Sequence, residues 1–236
     1  MCIRDRSDEI EFTDEVFSFP PVRIAVVAHK ENDWFQESVA SFANLNYLDK
    51  QLTVLTTGQM EWVEPIVSQY FPDAEILEVD PEAGLGANFN AVLSNHDEPA
   101  FYLFCHHDVA LAPDALRLMV EESYRSNAAV VGPKVVNWER PNELLDVGNV
   151  MNSLAVAVQR VEAGEIDQEQ FDSVEQVFAV SNTTFLVRAD LFRALGGFDE
   201  EMGMFGEDLD FCWRAQIAGG KVMLVPGAIA RHRDES

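Results

Sequence analysis

Hydrophobic positions change period several times along the chain. Val22 to Ala28 reads VRIAVVA, a nearly continuous apolar run. Such a run predicts a short strand covered on both faces of a parallel sheet. Phe35, Val39 and Phe42 then recur at helical spacing. A second apolar run spans residues 52–57 and ends in Thr57-Gly58. Val63, Ile66, Val67 and Tyr70 predict another amphipathic helix. Strand-like segments follow at 74–79, 101–105 and 129–131. Between the last two, Pro113 suits the first position of a helix. Leu116, Met119, Val120 and Tyr124 would form its apolar face. This alternation predicts an α/β fold, a mostly parallel central sheet flanked by helices. Ligands of such sheets bind at the carboxyl ends of the strands. That directs attention to residues 28–31, 56–58 and 105–108.

The second half is less regular. Residues 137–176 show few clear periods. Residues 162–175 hold six acids and no base, which predicts a surface excursion. Strands are expected at 177–180 and 185–187, and a short helix at 191–195 before Gly196-Gly197. A helix over about 207–218 is closed by Gly219-Gly220. A final strand at 221–225 is stopped by Pro226-Gly227. At the other end, residues 8–19 carry five acids and no base. Residues 1–20 read as a loose arm, and Met1-Cys2-Ile3-Arg4-Asp5-Arg6-Ser7 as a scar rather than a natural start. Residues 21–236 read as one domain, the catalytic part of a longer chain.

Composition narrows the function classes. The 236 residues carry 16 Lys+Arg against 41 Asp+Glu, a formal net charge of −25. A duplex nucleic-acid binder needs a basic footprint, and a polybasic membrane patch is missing for the same reason. At 47% apolar and 10% aromatic, the chain has the material for a core. Cys2, Cys105 and Cys212 are odd in number and widely spaced. That excludes a disulfide framework or zinc knuckle and fits a reducing compartment. No apolar run is long enough to span a membrane, and the opening lacks the apolar core of a signal peptide. The acidity itself needs no function beyond a solvated, self-repelling surface.

Four constellations offer chemistry. In Phe101-Tyr-Leu-Phe-Cys-His-His-Asp108, an apolar strand delivers two imidazoles and a carboxylate to its carboxyl end. Asp108 suits a divalent cation, and histidine beside it favours Mn²⁺ or a softer metal over Mg²⁺. A turn cap would use the same residues. In Gly203-Met-Phe-Gly-Glu-Asp-Leu-Asp-Phe-Cys-Trp-Arg214, Glu207 and Asp208 fall in the first turn of a helix. The macrodipole favours anions there, and simple capping is the plain alternative. A base at this place needs burial or a neighbouring carboxylate to raise its pKa. Gly84-Leu-Gly-Ala-Asn-Phe-Asn90 allows close backbone approach before a helix, or simply a turn. His232, between Arg231 and Arg233, lies beyond the last expected strand; the arginines could offset diphosphate charge.

Taken in order, these segments resemble the family-2-type inverting glycosyltransferases of the GT-A fold. The resemblance covers about residues 22–233. It is carried most specifically by Val180-Ser-Asn-Thr-Thr-Phe-Leu-Val-Arg188, Gly196-Gly-Phe-Asp-Glu200, Phe205-Gly-Glu-Asp-Leu-Asp-Phe-Cys-Trp-Arg214 and Val225-Pro226. It implies a GT-A nucleotide-diphospho-sugar transferase fold and inverting transfer of a sugar to an acceptor hydroxyl. Asp108 matches the last acid of the family's DxD metal motif, His106 stands in place of its first acid and His107 in the middle. His232 matches a late histidine that reaches the metal or diphosphate. The metal would be Mn²⁺ or Mg²⁺. Asp208 matches the catalytic base, with Glu207 placing the acceptor. Ala28, His29 and Glu31 match the loop lining the nucleotide base, Gly58 ends the second strand, and Gly86 and Asn90 match the segment near ribose and diphosphate. Two departures stand out: no acid follows the second strand at Thr56-Thr57-Gly58, and His106 replaces an acid.

The resemblance further implies a UDP- or dTDP-type donor and a glycan or lipid-linked acceptor. It implies cell-wall, polysaccharide or glycoconjugate synthesis in the cytoplasm, at the inner face of the cell membrane through regions outside this chain. The two departures motivate an alternative, a non-catalytic nucleotide- or glycan-binding module. A third reading, a metal hydrolase, requires His106, His107, Asp108 and His232 to converge on one ion.

Overall fold

Strand β1 (Val22–Ala28) is buried at all seven positions. It pairs in parallel with β2 (Lys50–Thr56) on one side and β4 (Phe101–His106) on the other, which explains its unbroken apolar run. The computed structural model describes residues 19–29, 31, 33–58, 60–94, 98–203 and 206–233. Most of the expected N-terminal arm, Lys30 and Phe205 lie outside the described residues. Phe19 and Pro20, at the arm's end, are not loose. The Phe19 ring packs edge-on against Tyr47 at 5.0 Å, and the Tyr47 hydroxyl donates to the Pro20 carbonyl at 2.6 Å.

Helix α1 (Asp33–Ala43) buries Phe35, Val39 and Phe42, and α2 (Met60–Tyr70) buries Val63 and Val67. These are the residues whose spacing predicts the helices. Strand β3 (Glu75–Glu78) extends the parallel set beside β2. After it comes α3 (Leu85–Phe89), only five residues long. Strand β5 (Val109–Leu111) follows β4, and α4 (Ala115–Ser126) begins two residues after Pro113, with Asp114 at the N-cap position but making no side-chain cap bond. Strand β6 (Ala128–Asn137) is longer than its apolar core suggests.

The irregular region contains β7 (Leu144–Asp146), β8 (Asn149–Met151), β9 (Ala157–Gln159) and β10 (Glu175–Gln176). Then come β11 (Thr184–Arg188), α5 (Ala189–Ala194), α6 (Glu207–Ile217) and β12 (Lys221–His232). The main sheet runs β10-β12-β6-β11-β4-β1-β2-β3, with β5 against β12 and β7 against β6; β8 and β9 form a separate ribbon. Most paired residues lie in parallel ladders, while β11 runs antiparallel between β4 and β6. Apolar clusters cover both faces of the sheet.

Two expectations in the second half are corrected. Residues 177–180 are not a strand: Ala179 makes one isolated bridge to Asn149, while Val177, Ala179 and Val180 fill the core. Their apolarity reports burial of a loop rather than sheet pairing. Nor does the last strand stop at Pro226-Gly227. The ladder with β6 slips between Val225 and Ile229, so the pair is absorbed in a bulge and β12 continues to His232. That continuation carries His232 to the carboxyl end of β4.

Candidate functional site

Three side chains meet where β4, β5 and β12 come together. His106 ends β4, Asp108 lies in the turn to β5, and His232 on β12 pairs with Val109. The candidate ligand atoms of His106, Asp108 and His232 all lie within 4.8 Å of one another. His232 Nε2 is 3.4 Å from Asp108 Oδ1. Asp108 Oδ1 and His106 Nε2 are buried without a hydrogen-bond partner. Buried polar atoms are nearly always satisfied, so two orphans in one cluster fit a cation as the shared partner. Two imidazoles and one carboxylate suit Mn²⁺ better than Mg²⁺.

Electrostatics agree with that donor set. Burial pushes the His106 pKa down to about 4, with the His232 imidazole adding to the effect, so the ring is neutral and able to ligate. Burial alone would raise Asp108, but the His232 contact and the surrounding imidazoles prevail and hold it at about 2. His107 does not join the cluster. It faces His29 edge-on at 6.2 Å, linking the carboxyl ends of β4 and β1. The four-residue convergence required for a hydrolase centre is therefore absent among the described residues.

The second acidic group sits at the start of α6. Gly206 caps this helix with φ +94°, a conformation that needs glycine. Asn182 holds both acids: its backbone N–H donates to Asp208 Oδ2 at 3.0 Å, and its side-chain amide donates to Glu207 Oε1 at 2.7 Å. The Leu209 N–H donates to Asp208 Oδ1 at 2.8 Å. Burial raises the pKa of Asp208 and of Glu207. Glu207 is 1% exposed, with Oε2 buried and unpartnered. Its carboxylate is closed off behind Asn182 rather than open to an acceptor.

A cavity of about 520 Å³ is lined by His106 and His232, by Asp146, and by Ser181, Asn182 and Thr183; it reaches the acid pair only through Asn182, since Glu207 and Asp208 do not line it. Asp146, at the end of β7, is the titratable residue that sequence reasoning missed. Burial raises its pKa to about 6 against the pull of the Gly148 N–H, and Asp208 adds to the rise. Its only signal is a carboxylate in the apolar stretch Leu144-Leu-Asp-Val147. Asn182 was visible within a family-like segment, but its grip on both acids follows only from the fold.

The remaining predicted site residues divide. His29, Glu31 and Gly58 are exposed at the carboxyl ends of β1 and β2. Ala28 is buried in the core, and its carbonyl accepts from the Thr57 N–H at 3.4 Å. Gly84 and Gly86 serve close packing. A Cβ on Gly84 would lie 1.9 Å from the Gly203 carbonyl oxygen, and one on Gly86 would lie 3.1 Å from the Glu207 Cβ. Asn90 commits its amide elsewhere: it accepts from the Phe198 N–H at 2.8 Å and donates to the Phe198 carbonyl at 2.9 Å. Arg231 pairs with Glu37 at 2.8 Å and Arg233 with Glu139 at 2.6 Å. Their guanidiniums stack on Trp138 and Trp34, so they fasten the end of β12 instead of waiting for a diphosphate.

A family model described as "Glycosyltransferase like family 2" matches residues 20–236. No curated protein sequence matches the chain. Among solved structures, GalNAc-T7, crystallised with UDP, GalNAc and Mn²⁺, superposes with a TM-score of 0.72 at 11% identity over 91% of this chain. TarS from S. aureus gives 0.65 at 15% identity over 89%. At these identities the likeness establishes the GT-A fold alone. The chain spans 43% of the first structure's length and 36% of the second's.

Proposed function

The chain belongs to the glycosyltransferase-like family 2, and on that premise we propose that it transfers a sugar from a nucleoside diphosphate donor to an acceptor hydroxyl with inversion. The observation that carries this reading is Asn182. It lines the cavity that His106 and His232 also line, and it holds Asp208 and Glu207 in place. Two histidines of the cation cluster and the residue that holds the acid pair thus line one cavity.

Asp208 acts as general base. Burial raises its pKa, so the ionised carboxylate is a better proton acceptor than a solvated one. It takes the proton of the acceptor hydroxyl while that oxygen attacks the anomeric carbon, and the sugar–phosphate bond breaks on the opposite side. A single displacement inverts the configuration and forms no covalent intermediate. Glu207 is a positioning residue, acting through Asn182. His106, Asp108 and His232 would hold Mn²⁺ or Mg²⁺, which when bound offsets the negative charge developing on the leaving diphosphate. Mn²⁺ and UDP in GalNAc-T7 lend support to that pairing. His29, Glu31 and Gly58 line the nucleotide end, with Ala28 supplying backbone and His107 contacting His29. Gly86 and Asn90 shape the donor segment from behind. We place the reaction in the cytoplasm, in cell-surface glycan synthesis on a glycan or lipid-linked acceptor; buried free Cys105 and Cys212 suit a reducing compartment.

The test is thermal stability of the chain with UDP, dTDP and GDP, with and without Mn²⁺. A ligand at a hundredfold excess over its Kd stabilises by about 2.7 kcal/mol. A shift for one nucleotide that grows with Mn²⁺ is expected; no shift with any of them overturns the donor site. His106 in place of an acid favours one other reading, a non-catalytic nucleotide- or glycan-binding module. Nucleotide binding without transfer from any matching sugar donor would select it.

A further inference from the structure

His232, one of the three residues of the cation cluster, is also the last residue of β12. Beyond the bulge, Ile229 to His232 keep register with β6, and Ala230 to His232 with β5. A bond from the Trp138 N–H to the His232 carbonyl, at 2.9 Å, closes the ladder. Strand ends open at little free-energy cost unless something ties them down. A ligand at such an end is only as well aimed as the contacts that support it.

The residues on either side of His232 supply those contacts. Arg231 pairs with Glu37 of α1 at 2.8 Å, and its guanidinium lies 5.0 Å from the centre of the Trp138 ring. Arg233 pairs with Glu139 at 2.6 Å, and its guanidinium lies 3.1 Å from the centre of the Trp34 ring, in the first turn of α1. The two rings meet edge-on at 6.4 Å, and Trp138 is 7% exposed. The two clamps are therefore one unit across α1, the end of β6 and the end of β12. An exposed ion pair alone is worth little, but a planar guanidinium held by both a ring and a carboxylate keeps one geometry. Arg233 is the more enclosed arginine, with 19% of its side chain exposed against 39% for Arg231.

Neither arginine belongs to the cation cluster. As positive groups next to a cation ligand, they repel an incoming ion. Charge alone therefore predicts that removing one tightens cation binding. Support of His232 predicts the opposite sign.

We propose that Arg233 is a positioning residue for the cation site: clamped by Trp34 and Glu139, it holds His232 beside Asp108, and divalent-cation affinity depends on that clamp. The proposal rests on the reading of His106, Asp108 and His232 as the cation site of the transferase. Groups that orient a metal ligand without touching the metal typically set affinity by about 10–100-fold.

The experiment titrates Mn²⁺ into the nucleotide-free 236-residue chain and reads free Mn²⁺ by electron paramagnetic resonance. Arg233→Met keeps an apolar stem and loses the charge, and Mn²⁺ binding weakens about tenfold. Arg233→Lys keeps a cation for Trp34 and Glu139 and recovers most of that loss. Trp34→Leu changes no charge and lies on another element, yet weakens binding in the same direction. In a His232→Ala background, Arg233→Met has no further effect, because it acts through the imidazole. Wild-type or tighter binding by Arg233→Met overturns the proposal. So does an equal loss in the His232→Ala background, or wild-type binding by Trp34→Leu. Thermal unfolding without metal identifies the variants that fold, and Trp34→Leu decides the matter if Arg233→Met does not. Absence of Mn²⁺ binding by the wild type overturns the cation-site reading itself and the clamp with it, whereas Mn²⁺ binding that ignores the clamp variants overturns the clamp alone.

Discussion

Asp108 and Asp146 are both mostly buried, both sense His232, and yet they titrate in opposite directions. Asp108 is held at about 2 because, although burial opposes ionisation, the His232 contact and three imidazoles outweigh it. Asp146 is pushed up to about 6 because burial outweighs the Gly148 amide and the weaker pulls of Arg160 and His232, and Asp208 adds repulsion. Burial by itself therefore does not decide the state of a carboxylate; the supply of positive partners does. The Asp108 side is arranged to hold charge. The Asp146 and Asp208 side keeps acids where they are less stable as anions, an arrangement that clusters at functional sites.

The largest expected effect tests the side with raised pKa values. Asp208→Asn keeps the size of the side chain and can still accept from the Leu209 N–H, but cannot take a proton. Transfer should fall by about 10²–10⁴, the usual worth of a positioned general base. The UDP–Mn²⁺ thermal shift should stay unchanged. Full activity in this variant would remove Asp208 from the mechanism. Next comes the opposite side. Asp108→Ala removes the one carboxylate from the cation cluster, and Mn²⁺ affinity should fall about a hundredfold or more, since even outer-shell losses reach that range. Isothermal titration with Mn²⁺ reads it, and wild-type affinity in the variant would show that the three residues do not hold the ion.

Asn182→Ala probes the join between the two sides. It strips Glu207 of its side-chain hydrogen-bond partner in a position 1% exposed. Leaving a buried acceptor unsatisfied costs about 1–3 kcal/mol. Chemical denaturation should show that loss, and the double variant Asn182→Ala with Glu207→Gln should recover part of it. Additive losses would mean that the two residues are not coupled.

Much of this architecture is legible in the sequence, for reasons that are local. β1 and β4 are apolar throughout because both faces are covered, and α1 and α2 show their buried stripes as i, i+4 spacing. His106 and Asp108 stand out by their place after a strand, His232 only through the family resemblance, and the three side chains lie together. What was missed depends on contacts far apart in sequence. Asn90 reads as a donor-segment residue, but its amide clamps Phe198, 108 positions away. Glu207 reads as the acid that places the acceptor, but close packing beside Gly86 and its bond from Asn182 close it in. Asp146 carries no pattern at all; only the cavity around it reveals it. Pro226-Gly227 reads as a stop because the bulge that tolerates it is set by the neighbouring strand β6.

The smallest expected effect returns to Asp146 and concerns stability. Its folded pKa of about 6 lies above the ordinary value of 3.8. The native state therefore binds more protons than the unfolded chain between these values. The contribution of Asp146 to stability is full below about pH 4 and is lost as pH rises through 6. Above that, the wild type carries an ionised buried carboxylate whose linkage cost is at most about 3 kcal/mol. Asp146→Asn removes the charge and retains an oxygen for the Gly148 N–H. It also buries an amide, so the net gain should be nearer about 1 kcal/mol. Thermal unfolding of the metal-free chain from pH 4 to 8 should show the variant melting above wild type at pH 8, with the gap closing as pH falls through 6. A gap independent of pH would mean that Asp146 is not the titrating group. A variant more stable at pH 8 is what a buried acid with a raised pKa predicts, and it would separate the Asp146 side from the Asp108 side by sign as well as by size.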